Sequence, residues 1–175
     1  MKNLLQSICA LFITLNSIAQ SYNSYSNALG IRVETGNMIN TYTGLSVKHF
    51  FRKHSAAEAQ ILFGKYATLI GVEYQYHGSL LKQIGLKWYS GIGPALTMSK
   101  VYIYDSNGNY YGSDSQNNTS VRASVGLDFT VPDIPLNLSL DWRPAFGISS
   151  AYGSSFSAVR FGMAFRYAFH KNVHQ

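Results

Sequence analysis

Twelve ionisable side chains recur at alternate positions along this chain: Arg32, Glu34, Lys48, Glu58, Glu73, Lys87, Arg122, Asp128, Asp141, Arg143, Arg160 and Arg166. Seven are basic and five are acidic. Brought together away from water, such groups could carry protons or ions, or they could bridge one another into a salt-bridged plug. Groups suited to covalent chemistry are scarce. The single cysteine is Cys9. His49 has no serine two residues away, and His54-Ser55 falls in a basic, polar turn. The string DSNGN from Asp105 opens like a calcium loop, but Tyr110 and Gln116 stand where such a loop needs glycine and glutamate. His170 and His174 are spaced i,i+4 but follow the last regular segment. No triad, phosphate-loop or metal-ligand spacing occurs elsewhere, so no catalytic, cofactor or metal site is predicted.

The elements that position the twelve charges are strands. In Ser157–Phe169, SAVRFGMAFRYAF, the odd positions from Val159 to Phe169 are all apolar or aromatic, while the even ones from Arg160 to Ala168 are small or cationic. Period two over this length describes a strand with a different solvent on each face. The same alternation predicts strands over Ala28–Gly36, Thr43–Phe51, Ala57–Lys65, Thr68–His77, Ile84–Met98, Thr119–Thr130 and Leu136–Phe146, eight in all. Pro94 predicts a kink or bulge in the fifth.

The partition of charge decides which solvent lies outside. The apolar face carries no Asp, Glu, Lys or Arg over the strand cores, whereas the other face holds the twelve charges and many glycines. A soluble lipocalin-like barrel would turn the charged face to water. Glycine there is of little use to an exposed sheet, but a narrow, side-chain-filled lumen needs it. A bilayer outside explains the clean apolar face, since a midplane Lys or Arg costs about 2–4 kcal/mol there. The fold expected is an all-β, eight-stranded antiparallel up-and-down transmembrane β-barrel. In a lumen this narrow, a salt-bridged plug is favoured over an ion path.

Lys2, the apolar run Leu4–Ile18 and the small residues before Gln20 read as a cleaved signal peptide, residues 1–19, leaving a barrel domain over 20–175. Cleavage would remove Cys9 and lower the net charge from +6 to +5, with 13 basic and 8 acidic residues left. That basic balance sits on alternate strand positions rather than in a patch, so nucleic acid is not expected as a partner. Charged residues make up 13% of the chain, about half the ~25% usual in soluble domains.

Aromatics at the ends of the second, fourth, sixth and eighth strands (Phe51, Tyr76, Phe129, Tyr167 and Phe169) form a girdle at one rim. An even strand count puts both termini there, which predicts a periplasmic rim and long loops on the other side. Within the longest connection, Ser99–Asn118, Val101–Tyr104 and Asn109–Tyr111 read as a hairpin arm with a turn at Asn107-Gly108. Its Tyr102, Tyr104, Tyr110 and Tyr111 stand among small polar residues, a composition suited to recognition.

Gly162-x-x-Phe165-x-Tyr167, followed by Phe169, resembles the C-terminal assembly signal of bacterial outer-membrane β-barrels. Gly71-Val-Glu-Tyr74 and Gly126-Leu-Asp-Phe129 repeat one pattern at one rim. With WYSGIGPAL (Trp88–Leu96) and LSLDWRPAF (Leu138–Phe146), they are similar to the small outer-membrane β-barrel family, OmpX-like or like the OmpA barrel. The resemblance implies a Gram-negative outer-membrane location, outer-membrane lipid around the barrel and handling by the barrel-assembly machinery. It implies no activity. The function expected is a structural or surface-interaction (adhesion) role, with an extracellular ligand or a cell surface as partner of the outer loops. The alternative is a lipid A-modifying enzyme built on the outer wall around His49.

Overall fold

The computed structural model describes residues 25–36, 41–81, 84–104, 108–149 and 156–170. The leader, Cys9, the Asn107 position, most of the loop 147–155 and the tail with His174 lie outside these. The described chain is β throughout, in ten segments. They are β1 (Tyr25–Gly36), β2 (Thr41–Arg52), β3 (Ser55–Phe63), β4 (Ala67–Leu81), β5 (Leu86–Tyr104), β6 (Tyr110–Thr130), β7 (Leu136–Trp142), β8 (Ala145–Ser149), β9 (Phe156–Ser157) and β10 (Arg160–His170). Each pairs antiparallel with its neighbours, and β1 closes on β10 from Tyr25↔His170 to Gly36↔Arg160. β7 and β8 are one strand of the wall interrupted, as are β9 and β10. The described residues therefore form a closed ring of eight strands, which removes the open edge that lipid would not tolerate.

The interruption at Arg143-Pro144 differs from the unbroken Leu136–Phe146 read from the sequence. Pro144 has no N–H to give the ladder. The break is bridged by single bonds, from Ala123 N to Pro144 O (3.0 Å) and from Arg143 N to Arg160 O (2.8 Å). Pro94 does less than expected. The β4–β5 ladder passes from Gly71↔Ala95 to Tyr74↔Ile92 with its register kept, so there is no bulge at that point. The larger difference is the extent of the hairpin arm, whose ladder continues through Gly112–Asn118 into the wall, so that β5 and β6 reach 19 and 21 residues. The final strand runs through His170, one residue beyond the Phe169 boundary.

Alternation fixes the two faces. Along β10, Ala164, Arg166 and Ala168 are buried, while Phe161, Met163, Phe165, Tyr167 and Phe169 are exposed. The same holds around the ring, with Ile31, Leu45, Val72, Ile92, Val125 and Leu140 each more than half exposed and polar side chains buried behind them. Water would penalise such a belt at about 25 cal/mol per Å² of apolar surface, whereas hydrocarbon does not. The rim with Tyr25 and His170, here the terminal rim, carries Phe51 against Tyr74 (6.0 Å), Tyr76 against Trp88 (6.0 Å) and Tyr167 against Phe169 (4.9 Å). The opposite, loop rim carries exposed Phe63, Trp142 and Phe161, and Phe146 against Phe156 at 4.5 Å. Two aromatic bands bound the apolar one.

Closure has a direct test. Folded protein in SDS should migrate faster than its boiled form. Removing Ala168–Gln175 should abolish that shift, because β1 loses its partners at Tyr25, Asn27 and Ala28. Removing only 171–175 should leave it. Equal mobility of boiled and unboiled full-length protein after refolding would contradict a closed ring.

Candidate functional site

The lumen is where alternation puts chemistry, and it is packed with charge. Glu58 on β3 is its hub. It accepts from Arg32 Nη1 (3.1 Å), Arg166 Nη2 (2.6 Å), Ser46 Oγ (2.9 Å) and Gln75 Nε2 (2.7 Å). Lys48 Nζ stands 3.8 Å and Arg143 Nη2 3.6 Å from its other oxygen. Asp141 accepts from Arg32 Nη2 through both its oxygens (2.5 and 2.6 Å), from Arg143 Nε (2.7 Å) and from the Tyr89 hydroxyl. Glu34 takes Arg32 Nε at 3.0 Å and Arg122 Nη2, and Glu73 takes Arg143 Nη1 at 2.8 Å and the Ser124 hydroxyl. Asp128 takes Lys48 Nζ at 2.7 Å, Asn137 Nδ2 at 2.6 Å and, at 3.3 Å, the Tyr25 hydroxyl. Removing charges from water costs several kcal/mol per ion, and only pairing with full hydrogen bonding offsets it. Here every carboxylate of the lumen has at least one cation and one neutral donor or second cation.

Glycine makes room for this network. A Cβ at Gly162 would fall on the Arg32 guanidinium and the Asp141 carboxylate. One at Gly91 would meet the Glu73 carboxylate and the Ser124 hydroxyl. Gly162, read from the sequence as part of an assembly motif, thus also clears the space for a buried pair. Phe165, Tyr167 and Phe169 of the same motif face outward on the exposed wall.

Two of the twelve charges sit at the ends of the lumen. Lys87 Nζ lies at the terminal end, 5.0 Å from the Phe50 ring centre. Arg160 lies at the loop end over the Tyr42 ring at 5.5 Å, and among the described residues no carboxylate is within ion-pair distance of it. Sequence reasoning did not separate these two from the mid-lumen charges, because alternation reports the face of a side chain and not its height in the barrel. It also passed over three buried rings. Tyr25 is 1% exposed although it lies ahead of the first strand read from the sequence, Ala28–Gly36. Tyr42 packs with Leu62, Leu69 and Ala95 across the loop end. His77 stacks on Tyr89 (5.1 Å) and meets a tilted Phe50 ring (4.7 Å). These rings layer the lumen above and below its ion pairs.

The histidines considered for hydrolysis have other partners. His49 Nδ1 lies 2.7 Å from Asn27 Oδ1 on the outer wall. His54 Nδ1 is 2.8 Å from the His77 carbonyl, and the Ser55 hydroxyl is 3.0 Å from that of Tyr74. Of the arm tyrosines, Tyr110 is 60% and Tyr111 82% exposed, and Tyr102 and Tyr104 lie on β5 opposite Ser113 and Tyr110.

Breaking the network should cost more than any surface change. Asp141→Asn leaves Arg32 and Arg143 short of a counter-charge and should lower unfolding stability in lipid vesicles by about 3–5 kcal/mol, read from urea midpoints. Arg160→Ala, outside the paired set, should cost at most about 1 kcal/mol, the worth of a partly exposed cation–π contact. Equal losses in the two variants would contradict the division between paired core and ends.

No family model matches the sequence, and no curated protein matches it. Solved structures do. The N-terminal β-barrel domain of Pseudomonas aeruginosa OprF is 15% identical with a TM-score of 0.60, covering 83% of this chain and 100% of that one. Neisserial surface protein A (NspA) is 14% identical with a TM-score of 0.52, covering 85% of this chain and 100% of that one. Identities this low speak to architecture, and the architecture agrees with the closed ring, the apolar belt and the filled lumen: the chain has the fold of the small eight-stranded outer-membrane β-barrels.

Proposed function

We propose that this is an outer-membrane protein with a structural, ion-paired lumen, which acts at the cell surface through the β5–β6 arm. The observation that carries the reading is the arm itself. β4 last pairs with β5 at Ala67↔Ser99, and β8 last pairs with β6 at Thr119↔Ser149. Lys100 N still donates to Tyr66 O (3.0 Å), and beyond it, among the described residues, Val101–Tyr104 and Tyr110–Asp114 form a ladder only with each other. At about 3.3 Å per residue this ribbon reaches roughly 15 Å past the rim. A two-stranded ribbon is marginal in water by itself, so its extension serves something other than barrel stability.

The arm's surface suits contact. Ile103, Tyr110 and Tyr111 are exposed beside Ser113, Asp114 and Ser115, giving ring area at low entropic cost next to adaptable polar groups. At its base an open groove of about 460 Å³ is lined by Lys65, Tyr66, Met98, Lys100 and Asn117. In this reading the terminal rim is periplasmic, the loop rim is extracellular, and a ligand or a cell surface meets the arm. Outer-membrane lipid surrounds the apolar belt, and the barrel-assembly machinery inserts the chain.

Replacing Tyr102–Gly112 with an Asn-Gly turn should keep the SDS mobility shift and abolish attachment of expressing cells to whichever surface the intact protein binds. Tyr110→Ser with Tyr111→Ser should reduce attachment about tenfold or more, as expected when aromatic hot-spot residues are lost. Attachment that survives the loop replacement would refute an arm-centred function.

A further inference from the structure

At the loop end the lumen opens into a cavity of about 110 Å³, lined by Thr97, Asn118, Ser120, Arg122, Ser157 and Arg160 among others. Arg122 is 3% exposed and donates to Glu34 through Nη2. Its Nε and Nη1 are buried with no acceptor among the described residues, and Asn118 Oδ1 is buried without a donor. Native proteins rarely leave buried guanidinium hydrogens unmet unless a water, an ion or a ligand completes the site.

The charge around the cavity points the same way. Five cations (Arg32, Lys48, Arg122, Arg143 and Arg166) are in ion pairs with the five carboxylates of the lumen, and Arg160 is surplus to that balance. Besides Glu34, the charges that bear most on Arg122 are two like ones, Arg143 and Arg160. The cavity thus joins two guanidiniums, one of them with hydrogens to spare, to the side chains of Thr97, Ser120, Ser157 and Asn118. Guanidinium forks with hydroxyl donors recognise tetrahedral oxyanions. The volume has room for one such group.

We propose that this cavity binds a single phosphate or sulfate group between Arg122 and Arg160, at the loop-side mouth of the lumen. The site is separate from the arm. A small anion here would complete the hydrogen bonding of Arg122 and neutralise the surplus charge of Arg160.

The test is titration calorimetry on the folded protein in uncharged maltoside micelles, with inorganic phosphate as probe at constant ionic strength. Saturable one-site binding is expected, weakened about tenfold or more in Arg160→Gln, the worth of a charge-assisted hydrogen bond, and unchanged in Arg52→Gln at the opposite rim. Ser120→Val, which fills the cavity without touching an ion pair, should weaken it too. Both cavity variants are first checked for the SDS mobility shift. A second arm replaces free phosphate with micelles doped with phosphatidylglycerol in phosphate-free buffer. Binding to doped micelles alone, lost in Arg160→Gln, would assign the same cavity to a lipid-borne phosphate. Failure to saturate with either probe, or binding indifferent to both Arg160→Gln and Ser120→Val, would overturn the proposal.

Discussion

A carboxylate held inside a ring of eight strands has no water to fall back on, so each must find a cation within its own layer of the lumen. That constraint shapes most of what lies inside this barrel. Arg32 is the clearest case, since its three guanidinium nitrogens reach Glu34, Glu58 and Asp141 on three different strands. Arg143 does the same between Asp141 and Glu73, and Arg166 ties β10 to Glu58 on β3 across the lumen. These crossings tie strands far apart in sequence to one another, which a purely apolar filling would not do with comparable directionality. Fixing one guanidinium in a network also costs less side-chain entropy per bond than fixing it for an isolated pair.

The same constraint reaches into the backbone. The space for the Arg32 guanidinium beside Asp141 exists because position 162 has no Cβ, and the space for Glu73 exists because position 91 has none. Arg143 keeps its place in the network although the strand breaks after it at Pro144, because its N–H still finds the Arg160 carbonyl. The apolar exterior answers to a different demand, since it needs only to lack charge along the belt. Side chains there can vary in size and shape with little effect on the ion pairs behind them.

That difference explains what could be read from the sequence. Where lipid lies on one side and a polar lumen on the other, the pattern alternates strictly and the strand is legible, as over Val159–Phe169. The arm residues Ser113–Ser115 are all exposed, so SDSQNN carries no such alternation and looked like a connection although it is ladder. Tyr25 and Tyr42 lie in polar surroundings at the strand ends, where one inward ring cannot establish a period. His77 continues the inward series of Glu73 and Gln75, and extending the alternation by one step to the last residue of that segment would have placed it beside them. Height along the barrel has no sequence signal of this kind, which is why Lys87 and Arg160, at its two ends, could not be told from the mid-lumen charges.

Height is also what separates scaffold from function here. Around mid-lumen five carboxylates and five cations balance, and above and below them lie aromatic layers: Tyr42 with Leu62 and Leu69 on one side, Tyr25 with Phe50 and His77 on the other. A charge added at mid-height would need a new partner in a space already filled. A change at the ends meets open volume, as at the cavity beside Arg160, or solvent, as along the arm. The barrel can therefore keep one interior solution while its loop rim changes, since neither the arm nor the mouth of the lumen supplies a carboxylate to the paired set.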